Sequence, residues 1–323
     1  MDLIDKNIIF ELLTNYRASY QAIAKKLDLS VNAVKKRFEK LKSVGIIRGG
    51  LLTPMAAMKR TEDWVTFLRM KEANTSETIL DVIGSHRLVN SGSILTDGSV
   101  LCYGYSGGAQ DLQEIGTFFR QIEGVKSIEF HTILTIPGKE SDLTTSDLKV
   151  LQYLRQYPRS PISEIAKKIG ISSRRVKKTI EELIGENGSE PPNFINWESR
   201  GGKSPNEVSF RVSVWWNLNA GGYTAFIAQV RHEEGVEARG RIIDLLKHQY
   251  PFEFWYAYAS AFEPVFFCVF MVKHLRESIE IVNRIKQLPG AASIYPIFGY
   301  PTKVYRSQID DYFERLFKEL AYP

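Results

Sequence analysis

Residues 23–41 read IAKKLDLSVNAVKKRFEKL and residues 165–183 read IAKKIGISSRRVKKTIEEL. Ile23 aligns with Ile165, Ser30 with Ser172, Val34 with Val176 and Leu41 with Leu183, at a constant offset of 142 residues without a gap. Repeats of about 20–50 residues build solenoids. An offset this long matches one or two small domains, so the chain reads as a duplicated two-domain unit.

The repeated stretch has the pattern of a helix-turn-helix. Upstream of the first copy, Ile4, Ile8, Ile9, Leu12 and Leu13 fall at helical spacing behind Asp2 and Asp5, acidic residues suited to a helix N-terminus. This predicts a first helix over about Asp2 to Leu13 and a second over Tyr20 to Leu27. Ser30 then caps a third, running to about Val44. On that third helix Val34, Phe38 and Leu41 form a buried stripe at i, i+4, i+7, which leaves Asn32, Ala33, Lys36, Arg37 and Lys40 facing outward. Gly45 ends it, and Ile46 to Gly50 reads as a short strand and turn opening a wing. The second wing reads as a hairpin of Phe194–Ser199 with Glu207–Val214, its basic tip at Arg200 to Lys203 placed to reach a minor groove.

Charge follows the repeat. Residues 1–50 carry +5 and residues 144–186 carry +4 against +5 for the whole chain, so the remainder is −4. Positive charge therefore concentrates where a phosphate backbone needs it. The chain has 323 residues, 44% hydrophobic and 24% charged, which suits a soluble globular protein of two to four domains. Its acidic amphipathic start predicts no secretion signal and a cytoplasmic location. Phe252 to Val272 is the richest apolar stretch, but Glu253, Glu263 and Pro264 make it two buried strands rather than a membrane span. Cys102 and Cys268, in separate apolar runs, read as reduced core residues.

Each helix-turn-helix is followed by alternating strands and helices. In the first unit these are Trp64–Met70, Ser76–Gly84, Val89–Leu95, Val100–Ser106, Ala109–Gln121 and Val125–Leu134; in the second, Tyr223–His232, Ala238–Gln249, Phe252–Ala259, Val265–Val272, Leu275–Gln287 and Ala292–Tyr300. Both spell β-α-β-β-α-β, with helices on one face of an antiparallel sheet. Aromatic strands containing Phe252, Phe254, Tyr256, Phe266, Phe267 and Phe270 need a cover, which sheet-to-sheet packing within or between chains would supply.

The run from Ile4 to Ile47, with its S-Y-x-x-I-A, L-S-x-x-x-V and final G-I-I, resembles the winged helix of the leucine-responsive/asparagine regulator (Lrp/AsnC) family. The βαββαβ unit resembles that family's effector-binding and oligomerisation domain. The resemblance implies an α+β fold in which two winged helix-turn-helix domains (1–53 and 144–217) alternate with two ferredoxin-like domains (61–138 and 222–303), followed by a C-terminal helix at 304–323. It implies a transcription regulator that binds double-stranded DNA, forms a homodimer or larger homo-oligomer, senses an amino acid as effector and lacks a membrane segment and a cofactor. On this reading Asn32, Ala33, Lys36 and Arg37 meet base edges, while Tyr20, Ser30, Lys35 and Lys40 approach phosphates. Ser172, Ser173, Arg174, Arg175, Lys177 and Lys178 do the same in the second copy, and Arg200 and Lys203 lie on its wing. The family's G-x-x-D effector loop has a shifted counterpart in Gly92, Asp97 and Gly98.

Catalytic signals are weak. Gly202-Lys203-Ser204 ends like a phosphate-binding loop but has Trp197 where the motif needs glycine. Gly104-Tyr105-Ser106-Gly107-Gly108 precedes a helix whose N-terminus can take an anion, or is a tight turn. None of His86, His131, His232, His248 and His274 has a second ligand at metal spacing. One enzymatic alternative shares the architecture, a fused two-unit siroheme decarboxylase. It needs cations around an acidic tetrapyrrole, and outside the winged helices the candidates are Arg69, His86, Arg87, His131, Arg231, His232 and His248.

Overall fold

The computed structural model describes residues 1–72, 76–185, 208–233, 236–305, 308–318 and 320. In chain order the first copy gives α1 (Leu3–Thr14), α2 (Tyr20–Leu27), α3 (Val31–Ser43) and β1 (Ile47–Pro54), then a short α4 (Ala56–Lys59). Next come β2 (Glu62–Met70), α5 (Thr78–Gly84), β3 (Val89–Leu95), β4 (Val100–Ser106), α6 (Ala109–Gln121) and β5 (Val125–Thr132). The second copy gives α7 (Thr145–Gln156), α8 (Ile162–Ile169), α9 (Ser173–Leu183) and β6 (Phe210–Trp216). After it follow β7 (Thr224–His232), α10 (Val236–Gln249), β8 (Phe254–Ala259), β9 (Val265–Val272), α11 (Leu275–Lys286), β10 (Ala291–Ile297), β11 (Gly299–Val304) and α12 (Gln308–Lys318). The fold is α+β, with winged helices and ferredoxin-like sheets.

Like gathers with like. One compact unit holds Met1–Met58, Ile136–Thr224 and Phe313–Pro323, and so both helix-turn-helix copies; the other holds Lys59–Thr135 and Ala225–Tyr312, and so both βαββαβ copies.

In the first unit, α1 and α7 each open with a capping box, Asp2 with Asp5 and Thr144 with Asp147, two positions that correspond at the 142-residue offset. Ile8, Ile9 and Leu12 of α1 and Val150, Leu151 and Leu154 of α7 are fully buried. The wings depart from expectation. β6 pairs antiparallel with β1 of the other copy, setting Leu52 opposite Val212 and Gly50 opposite Val214. Gly49 and Gly50 are therefore in a strand, with a bulge between Ile47 and Gly49, rather than in a turn. Phe194–Ser199 lies outside the described residues. An unpaired strand edge leaves a row of free amides and carbonyls, and pairing β1 with β6 satisfies the facing edges of both copies at once.

That ribbon is one part of a reciprocal interface. Helix α1 packs on β6 of the other copy and α7 packs on β1. Arg17 Nη1 donates to the Pro158 carbonyl at 2.8 Å, and Arg159, its counterpart at the same offset, donates to the carbonyls of Tyr16 at 2.5 Å and Ala18 at 2.8 Å. Residue i meets j while j′ meets i′, the mark of a two-fold interface between like subunits, here made within one chain. Gly50 sits beneath this clasp. A Cβ there would lie 2.2 Å from the Tyr16 ring and 2.9 Å from Pro158 Cγ. Gly50→Ala is accordingly expected to destabilise the chain by about 1–3 kcal/mol through overpacking, read as a lowered urea midpoint; an unchanged midpoint would mean the clasp yields freely.

In the second unit the two sheets run β3-β4-β2-β5 and β10-β7-β9-β8, both the strand order of a split βαβ fold. Ala292–Tyr300, expected as one strand, is two: β10 completes the second sheet, and β11 pairs with β3 at the edge of the first. The inner faces meet each other. Phe67 and Phe267 stack at 6.0 Å between centroids, and the Tyr103 and Tyr258 hydroxyls lie 2.8 Å apart. The aromatic strands are thus covered inside one chain, which removes the packing reason for a second copy. Cys102 and Cys268 are buried free thiols.

Candidate nucleic-acid interface

The two third helices start alike. Ser30 Oγ accepts the Ala33 amide at 3.1 Å and Ser172 Oγ accepts the Arg175 amide at 3.2 Å, fixing each first turn. Val34, Phe38 and Leu41 are buried in α3, as are Val176, Ile180 and Leu183 in α9. Outward faces follow from that registration: Asn32, Lys35, Lys36 and Lys40 are exposed with Ala33 at the margin, and so are Ser173, Arg174, Lys177 and Lys178. Lys35, Lys36 and Lys40 have no ion pair among the described residues. Lys177 and Lys178 face Glu181 at 3.5 Å and Glu182 at 3.7 Å along their own helix, exposed pairs of small energy.

Two arginines are turned inward, contrary to the outward placement read from spacing. Arg37 Nη1 donates to Asp2 Oδ2 at 2.8 Å and to Asp5 Oδ1 at 2.7 Å. The Asp5 and Asp2 bonds hold the guanidinium pKa above its ordinary value. Arg175 Nη2 donates to Asp147 Oδ1 and to Thr144 Oγ1, each at 2.8 Å. In each copy, then, an arginine of the third helix is spent on the first helix's capping carboxylate, from positions that do not correspond. Tyr20, expected at a phosphate, packs on Phe38 at 5.4 Å and lies under the Arg159 guanidinium at 4.7 Å. Burial raises its hydroxyl pKa. Arg200 and Lys203 lie outside the described residues.

Of the positions read as an effector loop, Asp97 is bonded within the chain. Asp97 accepts from Arg69 at 2.7 Å, the Ser99 amide at 3.0 Å and Tyr295 at 2.5 Å. Burial opposes its ionisation, but bonds from Ser99 and Tyr295 and the Arg69 charge hold its pKa below the usual carboxylate value. Gly98 takes φ +80° in the β3–β4 turn, a left-handed conformation that glycine adopts without strain. A Cβ on Gly92 would lie 3.0 Å from the Tyr305 hydroxyl. At the head of α6 the anion position is also taken, since Asp111 Oδ2 accepts the Gly107 amide at 2.6 Å.

Six of the seven cations weighed for a tetrapyrrole have a polar partner in the chain, and the seventh, His248, is exposed. Arg69 meets Asp97, Arg87 meets Asp111 at 2.6 Å and Glu114 at 2.7 Å, and Arg231 meets Glu263 at 2.9 Å. His131 is 1% exposed, with Nε2 3.1 Å from Glu129 Oε1 and Nδ1 3.2 Å from Ser260 Oγ. His232 is buried, its Nδ1 2.6 Å from the Glu233 carbonyl. His86 Nε2 lies 3.3 Å from Glu114. Among the described residues no group of three or more His, Cys, Asp or Glu is placed to hold a metal, and no helix is long and apolar enough to cross a membrane.

The sequence matches the winged helix-turn-helix DNA-binding family over residues 1–48 and again over 143–187. Over 44 residues it is 48% identical to the HTH-type transcriptional regulator LysM of Sulfurisphaera tokodaii, a stretch covering 14% of this chain and 31% of that relative. Each copy of the repeat is thus a winged helix-turn-helix by its own sequence match. Among solved structures, the siroheme decarboxylase NirDL in complex with an iron-uroporphyrin III analogue shares the fold over 99% of both chains, at a TM-score of 0.58 and 16% identity. The AsnC structure from E. coli aligns with 44% of this chain and 97% of its own, at a TM-score of 0.35 and 22% identity. The two stretches that match the family are those that carry α1 to α3 and α7 to α9, so both helix-turn-helix motifs lie in the first unit.

Proposed function

We propose that this chain is a sequence-specific transcription regulator whose DNA-binding unit is one chain, with α3 and α9 entering successive major grooves. The observation that carries this reading is the pair of exposed, capped third helices, held in a reciprocal arrangement by the β1–β6 ribbon and the Arg17–Arg159 clasp. Dimeric helix-turn-helix proteins use a two-fold arrangement of this kind to set two half-site readers about one DNA turn apart. Lys35, Lys36 and Lys40 contribute most of the phosphate attraction, and Lys177 and Lys178 the rest. Because wings and sheets find their cover within the chain, light scattering at micromolar concentration is expected to return the mass of one chain. A dimer mass would reveal a further self-association surface. A footprint of genomic DNA on the purified protein tests the reading directly: two protected segments in adjacent turns support it, and the absence of protection at low salt rejects it.

The fold shared with NirDL along the whole chain makes one contrast necessary. A multiply carboxylated macrocycle is held by cations free to pair with it, whereas Arg69, Arg87 and Arg231 already pair with carboxylates and His131 and His232 are buried. Mixing the protein with siroheme is therefore expected to leave the visible absorption spectrum unshifted. A shift that saturates at one ligand per chain and disappears in His131→Ala or His232→Ala would reverse the assignment.

A further inference from the structure

The third helices are not copies of one reader, and their differences fall where bases are contacted. At the 142-residue offset Val31 corresponds to Ser173, Asn32 to Arg174, Ala33 to Arg175 and Lys40 to Glu182. Val31, Asn32, Ser173 and Arg174 are exposed in the first turn of their helices, and that turn is fixed by the Ser30 and Ser172 caps. Neither Asn32 nor Arg174 has a side-chain partner among the described residues. Arg37 and Arg175, which could compete for the same groove, are held by Asp5 and Asp147. One exposed polar side chain therefore remains at the same place in each copy, beside Val31 in the first and Ser173 in the second.

The chemistry of those two side chains differs in a readable way. An asparagine amide has one donor and one acceptor and matches adenine N6 and N7; a guanidinium has only donors and matches guanine O6 and N7. An exposed apolar residue such as Val31, 45% exposed at the helix start, meets the thymine methyl group. Ser173 has no such preference.

Resting on the DNA-binding reading above, we propose that one chain recognises an asymmetric operator, in which Asn32 with Val31 selects an A·T pair in one half-site and Arg174 selects a G·C pair at the equivalent position of the other. The halves also differ in strength. Lys40 is unpaired where its counterpart Glu182 lies 3.7 Å from Lys178, so the A·T half-site draws the larger share of phosphate contacts.

The test is selection of binding sites by the full chain from duplex DNA with a randomised core, repeated with Asn32→Arg, Arg174→Asn and the double exchange. All the substitutions lie on the solvent face, so folding is checked simply by an unchanged unfolding midpoint. The wild-type chain is expected to enrich two unlike half-sites about ten base pairs apart. Asn32→Arg should replace the A·T pair by G·C in its half-site, with a preference of about ten- to a hundredfold, and the double exchange should reverse the operator's direction. Enrichment of a symmetric site by the wild type, or of the same bases by wild type and exchange variants, overturns the proposal while leaving DNA binding intact. Failure to enrich any sequence, together with no retardation of bulk DNA at low salt, removes the DNA-binding reading and this proposal with it.

Discussion

Replacing Asp147 by alanine is expected to remove about 3–5 kcal/mol of stability, the range for breaking a buried charged network at one partner. Asp147 is 6% exposed and accepts from the Thr144 amide at 3.0 Å, Thr144 Oγ1 at 2.6 Å, Thr179 Oγ1 at 2.6 Å and Arg175 at 2.8 Å. Removing it leaves the buried Thr179 hydroxyl without its acceptor, frees the Arg175 guanidinium and opens the α7 capping box. Acid reaches the same end reversibly. Burial disfavours the Asp147 carboxylate, but bonds from Thr144 and Thr179 and the Arg175 charge outweigh it and hold the pKa below its ordinary value. A carboxyl with a depressed pKa in the folded state stabilises fully above its unfolded pKa, near 4, and the contribution fades as pH falls through the lower folded value. Urea midpoints are therefore expected to fall below about pH 4 in the wild type, and to fall less in Asp147→Ala. Parallel curves for the two proteins would show that this carboxylate is not a source of acid sensitivity.

The double change Lys35→Ala with Lys36→Ala is expected to produce the largest loss of DNA affinity obtainable without unfolding. Both lysines are exposed, without an ion pair, on the face opposite Val34, Phe38 and Leu41. Each phosphate they neutralise contributes roughly −0.9 to the slope of log affinity against log salt, so the slope should become shallower by about 1.8 and affinity at moderate salt should fall ten- to a hundredfold. Arg37→Ala is the informative control. Its guanidinium pairs with Asp5, whose side chain is 4% exposed, so its loss should lower the unfolding midpoint before it touches the salt slope. If gel-shift titrations gave the lysine variant wild-type affinity and slope, α3 would not be the face that meets DNA.

Much of the candidate interface was legible because a helix writes its orientation into local spacing. Val34, Phe38 and Leu41 fix which side is buried, the Ser30 and Ser172 caps fix where the helices begin, and the exposed lysines follow. The exceptions sit at the edge of the stripe. Arg37 and Arg175 are half-buried, and a long side chain there can turn toward solvent or toward a neighbouring helix. Which way it turns depends on a carboxylate 28 to 35 residues away in the chain. No periodicity within the helix encodes that. The partners of Asp97 were hidden for the same reason: a glycine and an aspartate near a turn match a loop pattern, while the Arg69 and Tyr295 bonded to Asp97 come from other strands.

The amino-acid sequence by itself determined the duplication, the three-helix pattern and caps of each copy, the βαββαβ order and the concentration of positive charge, because each of these is set by residues within a few positions of one another or by a repeat visible in the letters. Only the tertiary structure decided that the wings pair with each other, that β11 leaves the second copy for the edge of the first sheet, and that the two sheets bury their aromatic faces together. Strand edges and sheet faces carry no address: an unpaired backbone edge or an apolar face accepts any geometrically suitable partner. Of the partners available, the duplicated chain brings its own second copy nearest.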